Sequence, residues 1–301
     1  SKIEFLLHDL VKNGFTLHIF EPFHDFLAPR IALNTKVEIF DRASWNPKNI
    51  DFMVCIGGDG TFLDSTTFIK DSHIPIIGIN TGRLGFLSGA SIKELDKVAT
   101  SIASDDFEIY KRATLKVESN IPLFNGNNFA LNELTVHKKD SSSMITIHTY
   151  IGDLYLNSYW ADGLIIATPT GSTAYSLSCG GPIMVPGAKD YVITPIAPHN
   201  LNVRPVVVPD DRTIRLKIEG RGREYLCSLD SRSVTIDSAT ELIIKRADFE
   251  LNVIQTQNQN FLNTIRNKMI NSLQQSKYHL NVMLINKILR LSYHSCYSSH
   301  S

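Results

Sequence analysis

The run Val54-Cys55-Ile56-Gly57-Gly58-Asp59-Gly60-Thr61-Phe62-Leu63 restricts this chain to few folds. Residues 50–56 are largely apolar and unbroken by turn residues, the pattern of a strand covered on both faces. Glycines 57, 58 and 60 end that strand, and the spacing over Thr61–Lys70 predicts a helix. A strand that stops at glycines and feeds a helix leaves backbone N–H groups pointing out of the sheet edge, where phosphate binds. Asp59 is the only charge in the turn. A carboxylate repels phosphate, so beside such a loop it either contacts a metal or takes a proton from an attacking hydroxyl. The plainer alternative is that Asp59 caps the helix and the glycines only make a turn. In either case a residue in an exposed turn is not a packing element, and replacing Asp59 with Asn is expected to leave stability nearly unmoved.

The flanking sequence extends the α/β pattern. Ile3, Leu6, Leu7, Leu10 and Val11 recur at helical spacing and stop at Asn13-Gly14; Phe15–Phe20 alternates like a strand. A short helix broken at Pro29 is expected over Glu21–Asn34, and a short strand over Val37–Phe40. Ile74–Ile79 reads as a second buried strand, ending in Asn80-Thr81-Gly82-Arg83-Leu84-Gly85-Phe86, and Ser91-x-x-Glu94 as a capping box opening a helix to about Ser104. Residues 1–112 are therefore expected to form a doubly wound α/β domain, with both glycine turns at the carboxyl ends of strands, where ligands bind. Such a domain ordinarily opens on a strand, and this sequence opens on a helix, so a further strand is expected ahead of it.

Past Tyr110 the texture changes to short alternating stretches: Leu115–Glu118, Phe129–Asn132, Leu134–His137, Met144–Ile151, Leu154–Trp160, Thr213–Glu219, Glu224–Leu229, Ser233–Ile236 and Leu242–Arg246. Residues 113–255 are expected to be an all-β domain, a β-sandwich. A helix over about 259–271 is expected to pack back on the first domain, leaving 272–301 as a tail without an assigned role; Leu280, Met283, Leu284, Ile288 and Leu291 make a helix plausible there, and Ser292–Ser301 are polar.

Thirty basic and thirty acidic residues balance, which gives a nucleic-acid partner no support. No apolar stretch approaches the roughly 20 residues that span a bilayer, and the opening residues lack the basic and apolar regions of a signal peptide. Cys55, Cys179, Cys227 and Cys296 lie far apart without metal-ligand spacing, as expected of free thiols in a reducing cytoplasm.

Within the β region, residues 161–182 do not read as sandwich sequence. A strand at Leu164–Ala167 leads into Thr168-Pro169-Thr170-Gly171-Ser172-Thr173-Ala174-Tyr175-Ser176-Leu177-Ser178. Its hydroxyls and free backbone groups suit a ligand rich in hydroxyls and ring nitrogens, and Tyr175 can pack on a flat ring. Asp162 at the mouth of this loop is an acceptor for ribose hydroxyls or a carboxamide; the alternative is a polar crossover between sheets. Asn132-Glu133 is a polar pair between apolar strands, either an edge turn or a reader of an adenine edge. Arg83 and Arg204 are candidates for neutralising phosphate.

Taken in this order, Gly57-Gly58-Asp59-Gly60-Thr61, Asn80–Phe86, Asn132-Glu133, and Asp162-Gly163 with Thr168–Pro182 resemble the NAD kinase family over about Ile3–Lys268. The Gly-Gly-Asp-Gly turn alone also occurs in diacylglycerol and sphingosine kinases and in phosphofructokinases. The Thr-Pro-Thr-Gly-Ser-Thr-Ala-Tyr run is the specific part. The resemblance implies an α/β plus β fold and phosphorylation of the adenosine 2′-hydroxyl of NAD to give NADP, with ATP as donor and Mg²⁺ or another divalent cation on the triphosphate. It implies Asp59 as the general base, and dinucleotide contacts from Asn132, Glu133, Asp162, Thr173, Ala174, Tyr175, Ser178 and Ala197. Gly57, Gly58, Gly60, Asn80, Arg83, Phe86 and Ser176, which stand inside the matching motifs, complete the expected binding set. Homodimers or homotetramers with a shared site are also implied. One departure is that Asp230 is followed by Ser231, where the family often has Asp-Gly. The alternatives weighed beside this are a lipid kinase of the diacylglycerol or sphingosine type, which leaves Asn132-Glu133 without a role, and a dinucleotide sensor without catalysis, which has no use for Asp59.

Overall fold

A computed structural model describes residues 2–31, 37–48, 50–82, 85–139, 143–255 and 261–268. The chain divides into two compact units, Ser1–Gln257 and Asn258–Ser301. In the second unit, residues 261–268 are helical, inside the helix expected over 259–271; the tail from 272 lies outside the described residues.

The first unit is organised by the strand Leu242–Gln255, much longer than the Leu242–Arg246 expected. One edge pairs with Glu108–Ser119 along nearly its whole length. The other edge serves two neighbours in turn. Its first residues pair antiparallel with Ile214–Glu219, and Val253 pairs parallel with Ile76. Antiparallel strands Ile145–Ile151 and Leu154–Ala161 thereby share one nine-stranded sheet with the parallel strands Ile76–Asn80 and Met53–Gly57. A register break between Arg246 and Glu250 separates the two regimes, as a bulge does when it bends a strand.

A second, six-stranded antiparallel sheet runs in the order Val206–Pro209, Asp190–Ile196, Gly163–Ala167, Glu133–Lys138, Tyr225–Leu229, Arg232–Ile236. The first two of these strands were not expected from sequence. Asp190–Ile196 carries a proline and is buried at almost every position, so it lacks the alternation that marks a half-exposed strand. Ile147, Leu216, Leu242 and Ile244 of the large sheet meet Leu134, Val136, Leu164, Ile166, Ile193 and Cys227 of the small one in a single apolar layer. This is the sandwich predicted from alternation. Each fully buried Leu or Ile contributes roughly 1.5–3 kcal/mol.

The parallel strand Ile76–Asn80 is covered on both faces. Lys2–Lys12 and Leu95–Ala103 pack over Ile77 and Ile79, while Asp59–Ile69 packs with Phe62 over Cys55, Ile76, Leu131, Leu251 and Val253. The capping box is present: Ser91 Oγ accepts the Lys93 N–H and Glu94 accepts the Ser91 N–H. The second helix spans only Glu21–Leu27, shorter than expected.

Met53–Gly57 corrects one expectation. It reads as a strand buried on both faces, yet only Cys55 is fully buried. Among the described residues no strand pairs with its outer edge, nor with the outer edge of Leu17–Phe20, which pairs parallel with Val37–Phe40. Both strands line a cavity of about 540 Å³ together with Leu6, Leu10, Phe40, Trp45 and Phe68. The exposure of Met53–Gly57 thus follows from its place at the edge.

Gly78, in the central parallel strand, allows the Ser88 segment to approach: a Cβ there would lie 2.7 Å from Ser88 Cα and 2.8 Å from Phe62 Cδ2. Gly78→Ala is expected to lower stability by about 1–3 kcal/mol in urea unfolding, whereas Gly58→Ala, with no atom within 4 Å of the new methyl, stays nearer the parent. Equal denaturation midpoints for the two variants would contradict this packing.

Candidate functional site

Gly57 and Asn80 are register partners at the carboxyl ends of adjacent parallel strands, so both glycine-bearing turns emerge on one end of the sheet. Gly57 is tight against Thr61, whose Oγ1 would lie 2.4 Å from an added Cβ, while Gly58 and Gly60 face open space. Gly58 is the N-cap of helix Asp59–Ile69. Asp59 is its first residue, and its carboxylate does not cap that helix. Oδ2 accepts the Phe86 N–H at 2.9 Å, and Oδ1 accepts those of Leu87 and Ser88, each at 3.2 Å. The plain capping reading is thereby corrected, and so is the expectation that Asp59→Asn leaves stability unmoved. Asp59 anchors a loop 27 to 29 residues away. That loop must approach closely, because a Cβ on Gly85 would lie 1.8 Å from Asp59 Oδ1. Asn80, buried, begins the loop as an Asx turn by accepting the Gly82 N–H at 2.7 Å. Arg83 lies outside the described residues.

The second cluster forms where Glu133–Lys138 begins. Asn132 O accepts the Thr168 N–H at 2.9 Å, and Leu131 O accepts the Thr168 hydroxyl at 2.6 Å. Thr168 also accepts the Gly171 N–H at 3.1 Å. Gly171 lies so close that a Cβ would come within 2.0 Å of Asn132 O. Asn132-Glu133 and the Thr168–Thr173 loop therefore form one surface. Asn132 Oδ1 and Glu133 Oε2 are buried there without hydrogen-bond partners. Burial, followed by the nearby Asp230 charge, pushes the Glu133 carboxyl up to about 8.

Of the remaining predicted residues, Thr173–Ser178 continue this loop, whereas Asp162 and Ala197 lie at the opposite end of strand Gly163–Ala167, where Gly163 pairs with His137 and Ile196 while Ala167 pairs with Glu133. Thr173 is buried, with its hydroxyl on Thr170 O. Ala174 leads into the one-turn helix Tyr175–Ser178, where Tyr175 is 41% exposed, Ser178 is exposed, and the buried Ser176 hydroxyl bonds Thr194 Oγ1 at 2.7 Å. Asp162 joins Leu154–Ala161 to Gly163–Ala167; its carboxylate pairs with Lys138 Nζ at 2.5 Å, and its N–H donates to Ile196 O. Ala197, the next residue, is exposed with φ at +45°, a left-handed conformation that an alanine adopts only under constraint. Desolvation, then Cys179 and Asp162, raise the Tyr175 hydroxyl above its ordinary value. Arg204 is exposed and bonds the carbonyls of its own loop, Leu201 and Val203.

The two clusters are tied together: Ser231 Oγ bonds Asp64 Oδ1 at 2.9 Å, and Leu131 shares an apolar cluster with Phe62 of the same helix. Among the described residues no group of three or more His, Cys, Asp and Glu side chains is placed to hold a metal ion. Sequence reasoning placed Thr168 inside the matching loop without giving it a role, and passed over Lys138. A lysine among strand residues carries no distinguishing signal until its partner is known.

Comparison with known proteins bears on this geometry. Residues 36–107 match the ATP-NAD kinase N-terminal domain and residues 131–256 the ATP-NAD kinase C-terminal domain. An NAD kinase of Cytophaga hutchinsonii is 46% identical over 270 residues, 89% of this chain and 91% of that protein. An NAD kinase of Bacteroides fragilis is 44% identical over 262 residues, 87% and 89% of the two chains. The yeast NADH kinase solved with NADH superposes with a TM-score of 0.75 at 25% identity, covering 88% of this chain and 81% of that one. An NAD kinase from Archaeoglobus fulgidus solved with ATP gives 0.64 at 26% identity, covering 83% and 98%.

The raised Glu133 has a sign that can be measured. Between roughly pH 4.5 and 8 the folded protein keeps a proton that the unfolded chain has released, so this residue's contribution to stability falls as pH rises through that window. Glu133→Gln removes the effect. Its stability relative to the parent is expected to rise from pH 5 to pH 8 by up to a few kcal/mol in urea unfolding. A constant difference across that range would contradict the burial of this carboxyl.

Proposed function

Because the chain belongs to the NAD kinase family, we propose that its two clusters divide the work of one reaction. The enzyme transfers the terminal phosphate of ATP to the 2′-hydroxyl of the adenosine ribose of NAD, forming NADP. The hydroxyl oxygen attacks the γ-phosphorus, the bond to the β–γ bridging oxygen breaks, ADP leaves, and Asp59 takes the hydroxyl proton. Such a reaction asks the protein mainly for alignment and charge neutralisation. Gly57, Gly58 and Gly60 supply backbone groups for phosphate, with Asn80, Arg83 and Phe86 on the adjoining turn. Asn132, Glu133, Asp162, Thr173, Ala174, Tyr175, Ser176, Ser178 and Ala197 hold the dinucleotide.

The observation that carries this reading is the pair of unpartnered buried atoms, Asn132 Oδ1 and Glu133 Oε2, facing no protein donor or acceptor. A buried polar atom left unmade costs about 1–3 kcal/mol. An amide oxygen and a neutral carboxyl together match the alternating donors and acceptors of an adenine edge, whose binding offsets that cost. Asp59 suits the base role in one respect: a carboxylate offers about four acceptor positions, and three are engaged.

A divalent cation would be carried by the triphosphate and its waters, a mode that Mg²⁺ favours and that needs few protein ligands. Self-association into dimers or tetramers is supported by exposed Leu154, Tyr155 and Trp160 on the outer strand of the large sheet. A cytoplasmic setting is supported by the unpaired Cys55, Cys179 and Cys227.

Asp59→Asn is expected to cut turnover on the order of 10²–10⁴-fold, with NAD affinity changing by only a few-fold. A coupled assay for NADP and calorimetric titration of NAD on the same preparation measure both. Near-normal turnover would remove Asp59 from the chemistry and leave it as a loop anchor alone.

A further inference from the structure

Asp230 occupies the tight turn between Tyr225–Leu229 and Arg232–Ile236, with φ at +53°. Left-handed backbone is uncommon outside glycine, though Asp is among the residues that tolerate it. Its carboxyl group is turned into the protein. Oδ2 accepts the Leu131 N–H at 2.8 Å; Oδ1 accepts those of Asn132 at 2.8 Å and Glu133 at 3.1 Å. The Asp230 N–H in turn donates to Glu133 O at 3.1 Å.

With the Thr168 contacts, this completes the backbone accounting for three residues. Every N–H of 131–133 ends on Asp230, and their carbonyls accept the Thr168 hydroxyl, the Thr168 N–H and the Asp230 N–H respectively. Every backbone N–H of the segment is used, and each carbonyl has a partner. What remains unsatisfied is Asn132 Oδ1 and Glu133 Oε2.

We propose that Asp230 is a positioning residue of the dinucleotide site, holding the Leu131–Glu133 backbone from behind so that the Asn132 and Glu133 side chains are presented to the ligand as an acceptor and a donor. This rests on the reading given above. The chemistry requires Asp at 230 for a stated reason: three N–H groups converge on it, and among the short side chains only an ionised carboxylate accepts without also donating. An asparagine there turns an NH₂ toward at least one of those N–H groups.

The charge has a second consequence. Burial raises both Asp230 and Glu133, and the nearby Asp230 charge raises Glu133 further. Both oxygens of Asp230 are occupied by N–H donors, and Arg232 also favours its ionised form. A proton held here therefore resides on Glu133, whose other titratable neighbour is the Cys179 thiol. A protonated Glu133 donates to a ring nitrogen, which an ionised one cannot do.

The test uses the full-length protein and three measurements. Asp230→Asn is expected to raise KM for NAD at least about tenfold, the loss of a charged buried hydrogen bond, with the loss falling on KM more than on kcat. It is also expected to move the pH profile of kcat/KM for NAD to lower pH, a shift that disappears in the Glu133→Gln background. ¹³C NMR titration of the Glu133 carboxyl in the unsubstituted protein, without ligand, is expected to show it protonated at pH 7, and this reading holds even if Asp230→Asn does not fold. An unchanged KM and profile in a folded Asp230→Asn, or a Glu133 midpoint near the ordinary 4.5, would overturn the proposal. If the unsubstituted protein forms no NADP while the titration places the proton on Glu133, the functional reading fails and the positioning by Asp230 stands.

Discussion

Two carboxylates acting as acceptors for remote backbone hold this molecule's site in place. Asp59 takes the N–H groups of residues 86–88, and Asp230 takes those of 131–133. In each case consecutive amides point at one side chain, a concave arrangement that would otherwise attract an external anion. Leaving such groups unpaired in a partly buried place costs roughly 1–3 kcal/mol apiece. The segments so held are the loop after the second parallel strand and the polar pair that opens Glu133–Lys138. The site is thus not a set of side chains on rigid elements alone; irregular backbone is fixed by carboxyl groups from elsewhere in the sequence.

The topology explains how distant segments come to share that arrangement. Leu242–Gln255 pairs with antiparallel strands at its start and with the parallel strand Ile76–Asn80 at its end, so a single sheet spans both halves of the first unit. Leu131 lies beneath helix Asp59–Ile69, and Ser231 bonds Asp64 of that helix. The helix that begins at the glycine turn is thus bonded one residue from Asp230, by ordinary packing and one hydroxyl–carboxylate bond.

Much of this was legible in sequence because it rests on local rules. The strand–glycine–helix unit, the Ser91 capping box and the alternating strands of the sandwich follow from periodicity and turn chemistry, and the order of motifs pointed to the family. What sequence could not convey was non-local pairing. Asp59 reads as a base or metal contact, with a helix cap as the plainer alternative; its use as a loop anchor depends on Gly85 coming within van der Waals distance after another strand and turn. Asp230 stands out in sequence only because Ser231 replaces a glycine after it, and nothing in its neighbourhood announces partners about a hundred residues earlier. Asp190–Ile196 escaped notice because a strand buried on both faces has no alternation. Met53–Gly57 was read as covered on both faces from composition, which says nothing of where in a sheet a strand lies.

In the free protein six backbone amides are held by two carboxylates. In residue-resolved amide hydrogen exchange on the ligand-free enzyme, the N–H groups of Phe86, Leu87, Ser88, Leu131, Asn132 and Glu133 are expected to exchange far more slowly than those of an exposed loop such as 199–202, although only Glu133 among the six lies in a regular element. Exchange of either trio at loop rates would show that its carboxylate does not hold it, and the account of the site would fall with that clamp.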